Sequence, residues 1–267
     1  MRATDIPERE RGVSEVRLYR VSGVVLRHRD LGEADRLVRL LTRERGKLSV
    51  VAKGAKRPKS KLASAVQPFT QSRLQIAVGR SLDIITQAQL VDSHYALRTD
   101  LTRLAYANHL SELVDAFLEE GQRSARVYDL HLGALRRLAA GEPLDLVARA
   151  FELVLLSLLG FGPQWETCAS CGRAAAEDAA ALSPTMGILC TRCRAADPSA
   201  RALSTEGARL AQALSDRRRS APPSASASVR RQLEQAMCGL LEFHLARPLR
   251  SARFIAGLSR TQGDEDK

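Results

Sequence analysis

Four of the five cysteines lie in two closely spaced pairs, and these pairs constrain the fold more than any other feature of the sequence. They are Cys168-x2-Cys171 and Cys190-x2-Cys193, with 18 residues between them. This spacing lets two short knuckles each offer two sulfur atoms to one tetrahedral zinc ion. In a reducing compartment, metal binding is favoured over disulfide formation, with redox-active pairs or an oxygen-labile cluster as the alternatives. The sequence therefore predicts one zinc ion held by four cysteines.

The predicted zinc site is structural. Four thiolates complete the coordination of zinc, whereas a catalytic zinc keeps one position open for water. The nearby acids, Glu166, Glu177 and Asp178, do not form the patterns of zinc hydrolases or deaminases. Zinc binding would instead fold the small residues between the two pairs. The fifth cysteine, Cys238, lies in an apolar stretch and is expected to be a small core residue.

The positive charge of the chain is concentrated in one region. The whole chain has 41 lysines and arginines against 30 acids, a net charge of +11. Residues 36–80 hold twelve of these basic residues and a single acid, Glu44, so this region accounts for the whole excess. Such a concentration on one small domain is typical of a surface that binds a polyanion. A solvated loop and an anionic membrane surface are the alternatives, but the region has no amphipathic helix with bulky apolar anchors.

The region of high charge lies on a predicted β-domain. Turn signals separate five strand candidates, at 19–28, 35–42, 47–54, 70–78 and 82–91. In the fourth, Leu74, Ile76 and Val78 alternate with other residues, as in a half-buried strand. The longest irregular connection follows the third strand and includes "AKGAKRPKSK" at 52–61, which Gly54 and Pro58 predict to be a loop. Five strands in this arrangement favour a small barrel of the oligonucleotide-binding (OB) type.

Beyond residue 97 the periodicity becomes helical. Apolar residues at helical spacing predict helices over 100–121, 126–141, 143–162, 205–216 and 228–246. The fold class is therefore α+β and multidomain: an N-terminal five-stranded OB-type β-barrel, followed by an α-helical domain that carries a four-cysteine zinc knuckle. The predicted domains are the barrel (1–96), a first helical part (97–164), the zinc insertion (165–197) and a second helical part (198–267). The last includes a flexible linker at 217–228 and an acidic tail.

Several of these stretches together resemble one protein family. A barrel containing "LGEADRLVRLLTRERGKLSVVAKGAKRPKSKL" (31–62), a helical middle, the CxxC…CxxC insertion and "RPLRSARF" (247–254) are similar to the bacterial RecO family of DNA repair proteins. The resemblance covers nearly the whole chain, and its most specific part is the basic loop in its barrel context. It implies binding of single- and double-stranded DNA and annealing of complementary strands. It also implies that the chain, with RecR, loads RecA onto DNA coated with the single-strand binding protein SSB, whose C-terminal tail it contacts.

The resemblance assigns the DNA contacts to the basic loop. The residues that map onto the family's loop are Lys53, Lys56, Arg57, Lys59 and Lys61; we add Arg36, Arg39 and Arg73 from the surrounding strands with less support. OB-type proteins that bind single strands normally stack bases on aromatic side chains. Between residues 36 and 80 the only aromatic residue is Phe69. We therefore expect binding to depend on phosphate neutralisation, with the base edges left free to pair.

Two other classes of function compete with this interpretation. An enzyme acting on nucleic acid would need clustered carboxylates, a nucleotide-binding lysine motif or a phosphate-cradling glycine loop, and the sequence has none of these. We therefore predict that the chain is not an enzyme. A non-enzymatic RNA-binding zinc protein remains an alternative, because an OB surface does not identify the sugar of its ligand.

The sequence also predicts where the protein acts. The first 20 residues are rich in charge and lack an apolar segment, and the longest apolar run, at 151–162, is short and contains Glu152. We expect no membrane partner and a cytoplasmic, nucleoid-associated location.

Overall fold

The computed structural model describes residues 17–175, 178–216 and 223–265, and for residues 259–265 it describes the backbone only. The N-terminal part forms a closed barrel of five strands in the order β1-β2-β3-β5-β4. The strands are β1 (Leu18–Leu31), β2 (Asp35–Thr42), β3 (Gly46–Ala52), β4 (Gln71–Ala77) and β5 (Asp83–Asp92). All pairs are antiparallel except β3 and β5, which pair in parallel at Val50 and Val51. The predicted OB-type barrel is confirmed.

Alternation of side chains builds the barrel interior. On β4, Leu74 and Ile76 point inward, and they pack with aliphatic residues such as Val38 and Val50 from the neighbouring strands. The connection between β3 and β4, residues 53–70, is the irregular stretch that the sequence predicted. Its end is fixed by Phe69, which is fully buried and whose N–H donates to the carbonyl of Val25 at 2.7 Å. The basic loop therefore projects from an anchored base.

The helical domain comes in two parts. The first contains α1 (Ala96–Thr99), α2 (Leu101–Phe117), α3 (Ala125–Ala139) and α4 (Leu144–Leu159); the second contains α5 (Thr205–Ser215), α6 (Ala227–Leu245) and α7 (Arg250–Glu265). Side-chain oxygens of Asp100, Ser124, Ser204 and Ser226 cap α2, α3, α5 and α6 by accepting backbone N–H groups. Both parts contribute to one apolar core. Among the described residues, no helix is long and apolar enough to cross a membrane.

The segment at 165–203, which holds the four cysteines predicted to bind zinc (the zinc segment), contains a small sheet. Strands β6 (Ala179–Ser183), β7 (Gly187–Cys190) and β8 (Arg201–Ala202) pair in the order β7-β6-β8, with a short 3₁₀ turn at Arg194–Ala196. This sheet was not predicted, because its strands have only two to five residues and are too short to show an alternating pattern.

The last helix was also not predicted. Residues 250–265 form α7, which includes most of the expected acidic tail; Asp266 and Lys267 lie outside the described residues. Of the predicted linker, residues 217–222 lie outside the described residues, and α6 already begins at Ala227.

The barrel and the helices share one core. Val24, Leu26, Leu41 and Phe69 of the barrel belong to the same buried cluster as the apolar faces of the helices. The turn between β2 and β3 lies against the loop that follows α2: Gly46 has φ +71, and a Cβ there would lie 2.0 Å from the carbonyl oxygen of Gln122. Only glycine suits both the positive φ and the close approach.

Candidate metal centre and nucleic-acid interface

Two knuckles bring the four predicted cysteine ligands together. In the first, the N–H of Cys168 donates to Arg173 O at 2.7 Å, and the N–H of Gly172 donates to Cys168 O at 2.9 Å. Gly172 takes a positive φ of 73° to close the turn. The second knuckle starts at Cys190, the last residue of β7, and the N–H of Cys193 donates back to Cys190 O at 3.0 Å. Each pair is thus held in a tight turn that directs two sulfurs to a common point.

The sulfur geometry suits a tetrahedral metal ion. All four Sγ atoms lie within 4.8 Å of one another. The Sγ atoms of Cys171 and Cys190 are 3.8 Å apart. A tetrahedron with metal–sulfur bonds of about 2.3 Å has sulfur–sulfur edges of about 3.8 Å. The four cysteines can therefore hold one metal ion in a closed site.

The thiols of Cys168 and Cys193 differ in pKa. Burial raises the pKa of the Cys168 thiol, but backbone N–H donors from Cys190, Cys171 and Ser170 outweigh burial and lower it to about 6. At Cys193 the Ser170 side chain lowers the pKa, whereas hydrogen bonding with the other three cysteines, together with burial, raises it to about 11. Four adjacent thiolates would repel one another without a cation. A dication would remove this repulsion and so fits the donor set.

The basic loop presents all five of its predicted DNA-contacting side chains to solvent. Lys53, Lys56, Arg57, Lys59 and Lys61 are exposed. The base of the loop is held by the N–H of Gly54, which donates to Asp35 Oδ1 at 2.7 Å. Lys56 also donates to Asp30 Oδ2 at 2.7 Å, where the carboxylate is itself exposed. The loop is therefore an anchored projection with an excess of positive charge.

The three predicted contacts outside the loop differ from one another. Arg36 is half-buried, and its Nε lies 3.9 Å from Asp30 Oδ1. Arg73 is exposed on β4. Arg39 is engaged inside the molecule: its Nε lies 3.2 Å from Asp115 Oδ1, and its Nη1 bonds to Glu120. The structure therefore leaves Arg73 more accessible to a ligand than Arg39.

Part of the positive charge joins the barrel to the helical domain. Asp115 on α2 receives Arg27 Nε at 2.8 Å, Arg39 Nε at 3.2 Å and Lys47 Nζ at 3.3 Å. Arg43 also pairs with Asp129 of α3 at 2.9 Å. Sequence reasoning missed this use of charge, because the partners are far apart in the chain and leave no local signal. The twelve basic residues of 36–80 thus serve two purposes, and only some of them are directed towards solvent.

Of the phenylalanine and tyrosine side chains between residues 17 and 96, only Tyr95, which follows β5, is largely exposed. Phe69 is fully buried, so a substitution there would act on the fold and would not test base stacking. The Tyr19 ring is covered by the guanidinium of Arg45 at 4.1 Å, and its hydroxyl donates to Asp83. These positions agree with a barrel that binds by charge.

The zinc segment carries exposed cations of its own. Arg173, Arg192 and Arg194 lie beside the cysteines and are exposed. Among the residues that the structure describes, none of the three forms an ion pair. Ordinary solvated charge accounts for them without a ligand.

Comparison with known proteins gives a single family. The family model described as "Recombination protein O N terminal" matches residues 16–94, and "Recombination protein O C terminal" matches residues 98–253. A protein named DNA repair protein RecO from Roseiflexus sp. (strain RS-1) is 39% identical over 242 residues, which cover 90% of this chain and 85% of the relative. A protein of the same name from Symbiobacterium thermophilum is 39% identical over 246 residues, which cover 89% of this chain and 96% of the relative. Another, from Shouchella clausii, is 33% identical over 256 residues, which cover 94% of this chain and 100% of the relative.

Proposed function

Because this chain belongs to the RecO family of recombination and DNA repair proteins, we propose that it acts as a recombination mediator without catalytic chemistry of its own. It binds single- and double-stranded DNA and anneals complementary strands. With RecR it helps to load RecA onto single strands coated with SSB, whose C-terminal tail is a further partner. These partners imply that it acts at the nucleoid in the cytoplasm.

The basic loop carries the proposal. Five cations on one anchored projection, residues 53–61, match the repeating negative charge of a nucleic-acid backbone. Arg73 extends this surface onto β4, whereas Arg36 and Arg39 contribute mainly through the field around the barrel, since both are half-buried. The contacts are to phosphates and carry no sequence preference.

Annealing follows from this mode of binding. Two complementary strands repel each other through their phosphates, and a cationic surface that neutralises them lowers that repulsion. Because the barrel surface offers few aromatic rings, it leaves the Watson–Crick edges of most bases free to pair. Lysine side chains suit this task because they act as mobile point charges that do not fix the strand in one position.

Zinc is the metal that we propose for the four cysteines. Cys168, Cys171, Cys190 and Cys193 would hold a single ion, which supplies folding free energy and no open coordination position. Among the described residues, no second group of three or more His, Cys, Asp or Glu ligand atoms comes together.

The domains that we propose keep the bounds predicted from the sequence. They are a barrel to residue 96, helices at 97–164 and 198–267, and the zinc insertion at 165–197.

The decisive experiment is annealing of complementary DNA strands precoated with SSB. The intact protein is expected to anneal them, and a variant with alanine at Lys53, Lys56, Arg57, Lys59 and Lys61 is expected to fail while it remains folded. A control variant with alanine at Arg173, Arg192 and Arg194 also removes exposed cations and should retain annealing. Addition of RecR and RecA to the same coated strands then measures RecA loading.

Three results would contradict this function. The intact protein could leave coated DNA strands unpaired, or the loop variant could anneal as fast as the intact protein. If the intact protein binds RNA strands more tightly than DNA strands, the RNA-binding alternative replaces the DNA mediator.

A further inference from the structure

A second surface with ligand-binding character lies where the barrel meets the last two helices. It is a groove of ≈ 720 Å³ between the middle of β1, α2 and the turn from α6 into α7. The residues that define its walls are Leu26, Arg27, Asn108, Arg247, Arg250 and Phe254. Arg247, Arg250 and Phe254 come from "RPLRSARF", a stretch to which the proposed function gives no role.

The groove combines an exposed aromatic ring with exposed cations. Phe254 lines the groove and is 51% exposed. Arg250 precedes it by four residues on α7, so the two side chains are neighbours on one helix face. Arg247 is also exposed, and in the described part of the chain neither arginine forms an ion pair. An aromatic platform flanked by cations is the usual means of holding an unpaired nucleotide.

The acids that border the groove are already engaged. Glu112 accepts the N–H groups of Arg250 and Ser251 and the Ser251 hydroxyl, and so caps α7. Burial raises the pKa of the Glu112 carboxyl, but these hydrogen bonds outweigh burial and hold it below its usual range. Asp115 is surrounded by three cations from the barrel. The acids therefore organise the groove, while Arg247 and Arg250 leave it net positive.

Strand β1 connects this groove to the basic loop. Arg27 lines the groove, and Asp30, three residues later on the same strand, pairs with Lys56 of the loop. At a rise of about 3.3 Å per residue, the two positions are about 10 Å apart. Between them lies Arg29, which is exposed. The groove and the basic loop are therefore both within reach of one short single strand.

We propose that the groove binds an unpaired segment of single-stranded nucleic acid, with one base stacked on Phe254 and the flanking phosphates on Arg247 and Arg250. The inference rests on the proposed DNA-binding function and adds a second contact to it. The loop neutralises phosphates on either single or double strands, whereas the groove selects single strands, because only an unpaired base can stack there. The helical domain thereby supplies an aromatic platform outside the barrel.

Binding of an oligo(dT) strand to the full-length protein across a salt series tests the proposal. Replacing Phe254 with alanine should weaken single-strand affinity about 5- to 150-fold without changing the salt slope. Phe243→Ala, which removes a phenylalanine of similar exposure on α6, is the matched control and should leave affinity unchanged. Replacing both Arg247 and Arg250 with alanine should reduce the steepness of log affinity against log salt by about 1.4. Arg126→Ala, a change at an exposed arginine on α3, should leave the slope unchanged.

Fluorescence gives a direct measure of stacking. A Phe254→Trp variant should lose part of its emission when oligo(dT) is added, beyond any change at the native Trp165 in the parent protein. A Phe243→Trp variant should not respond. A thermal melt of each variant confirms that it is folded, and the exposure of Phe254 makes this the expected result.

The outcomes separate the groove from the loop. If the loop variant loses binding while the Phe254 and arginine variants bind like the intact protein, the groove proposal is overturned and the proposed function stands. If Phe254→Trp responds only to an acidic peptide and not to the strand, the groove is a protein-docking site and the proposal is again wrong. If the intact protein binds no single strand at all, both the groove and the proposed function fail.

Discussion

Asp115 is the residue on which the contact between barrel and helices most depends. Burial raises the pKa of its carboxyl, but the hydrogen bond from Arg27 and the charges of Arg27, Lys47 and Arg39 outweigh burial and hold the pKa below its usual range. Lys47 is itself buried, with 8% of its side chain exposed. A buried cation of this kind requires its counter-charge, because an unpaired charge inside a protein is strongly destabilising.

Replacing Asp115 with asparagine should lower the free energy of unfolding by about 3 kcal/mol, because it leaves Lys47 buried without a full counter-charge. Urea denaturation measures the change. Asp129→Asn is the matched control: it breaks the exposed pair with Arg43 and should cost less than about 1 kcal/mol. Equal effects of the two substitutions would show that the buried cluster has no special role.

His131 makes the helical domain sensitive to acid. Its side chain is fully buried between α2 and α4. Its Nε2 lies 3.2 Å from Ser111 Oγ, and its ring lies edge-on to the ring of Phe151. Burial lowers the pKa of the ring to about 3. The unfolded chain binds a proton at this residue near pH 6.5, whereas the folded protein does not. The stabilising contribution is therefore present above pH 6.5 and is lost as the pH falls towards 3.

A His131→Leu variant should lose less stability on acidification than the intact protein. Between pH 7 and pH 5 the difference attributable to this histidine is on the order of 2 kcal/mol, since one extra proton binds to the unfolded chain. Urea unfolding at the two pH values measures it. Parallel loss of stability in both proteins would mean that His131 is protonated in the folded state as well.

At the scale of elements, the zinc segment depends on its four sulfurs. Its sheet of β6, β7 and β8 has a small core of its own, which includes Cys168, Leu189 and Cys190. The other side of the sheet adds Leu182, Ile188 and Leu203 to the core of the helical domain. The four sulfurs are therefore needed mainly to order the two knuckles and the small core around them.

Replacing Cys190 with serine should abolish binding of one zinc ion per chain and open residues 165–203 to proteolysis, while the barrel stays intact. Metal analysis of the purified protein and limited digestion followed by mass spectrometry measure the two effects. Cys238→Ser is the control, because Cys238 lies on α6 and outside the cluster. Zinc retained by the Cys190 variant would argue against the four-sulfur site.

The elements that the sequence predicted are those with a periodic apolar pattern. Leu74 and Ile76 mark β4 by alternation, and the leucines of α2 and α4 mark their helices by spacing. Three of the five residues of β6 are alanine, and α7 contains Gly257 and few large apolar residues, so neither has such a pattern. Their structure comes from contacts with other parts of the chain, which no local window contains.

Buried charges were equally hard to predict. Glu152 counted in the sequence only as an argument against a membrane span, yet in the structure it is fully buried. Its Oε1 lies 2.7 Å from His109 Nε2 and accepts a hydrogen bond from Arg149.

The candidate metal ligands, in contrast, were predictable because their spacing directly encodes the two knuckles. The cations of the loop were predictable as a group, but only the structure distinguishes solvent-facing Lys53 from engaged Arg39.

At the scale of the whole molecule, DNA affinity should depend steeply on salt. If the five loop cations each neutralise a phosphate, replacing all five with alanine should flatten the slope of log affinity against log salt by about 3.5 on single strands and about 4.5 on duplex. Arg39→Ala should change the slope much less, because its guanidinium is held by Asp115 and Glu120. Titrations of labelled DNA at several salt concentrations measure both. A shallow slope in the intact protein would contradict binding by charge.

The core shared by the two domains has a consequence for synthesis. Val24, Leu26, Leu41 and Phe69 leave the ribosome with the barrel, but the helices that contact the barrel strands, α2 and α3, end only at residue 139. Translation proceeds at roughly 5 to 20 residues per second, so the apolar face of the nascent barrel stays exposed for several seconds. During that interval the exposed apolar face can bind chaperones or lead to aggregation. A truncated chain that ends after the barrel would keep this face exposed permanently.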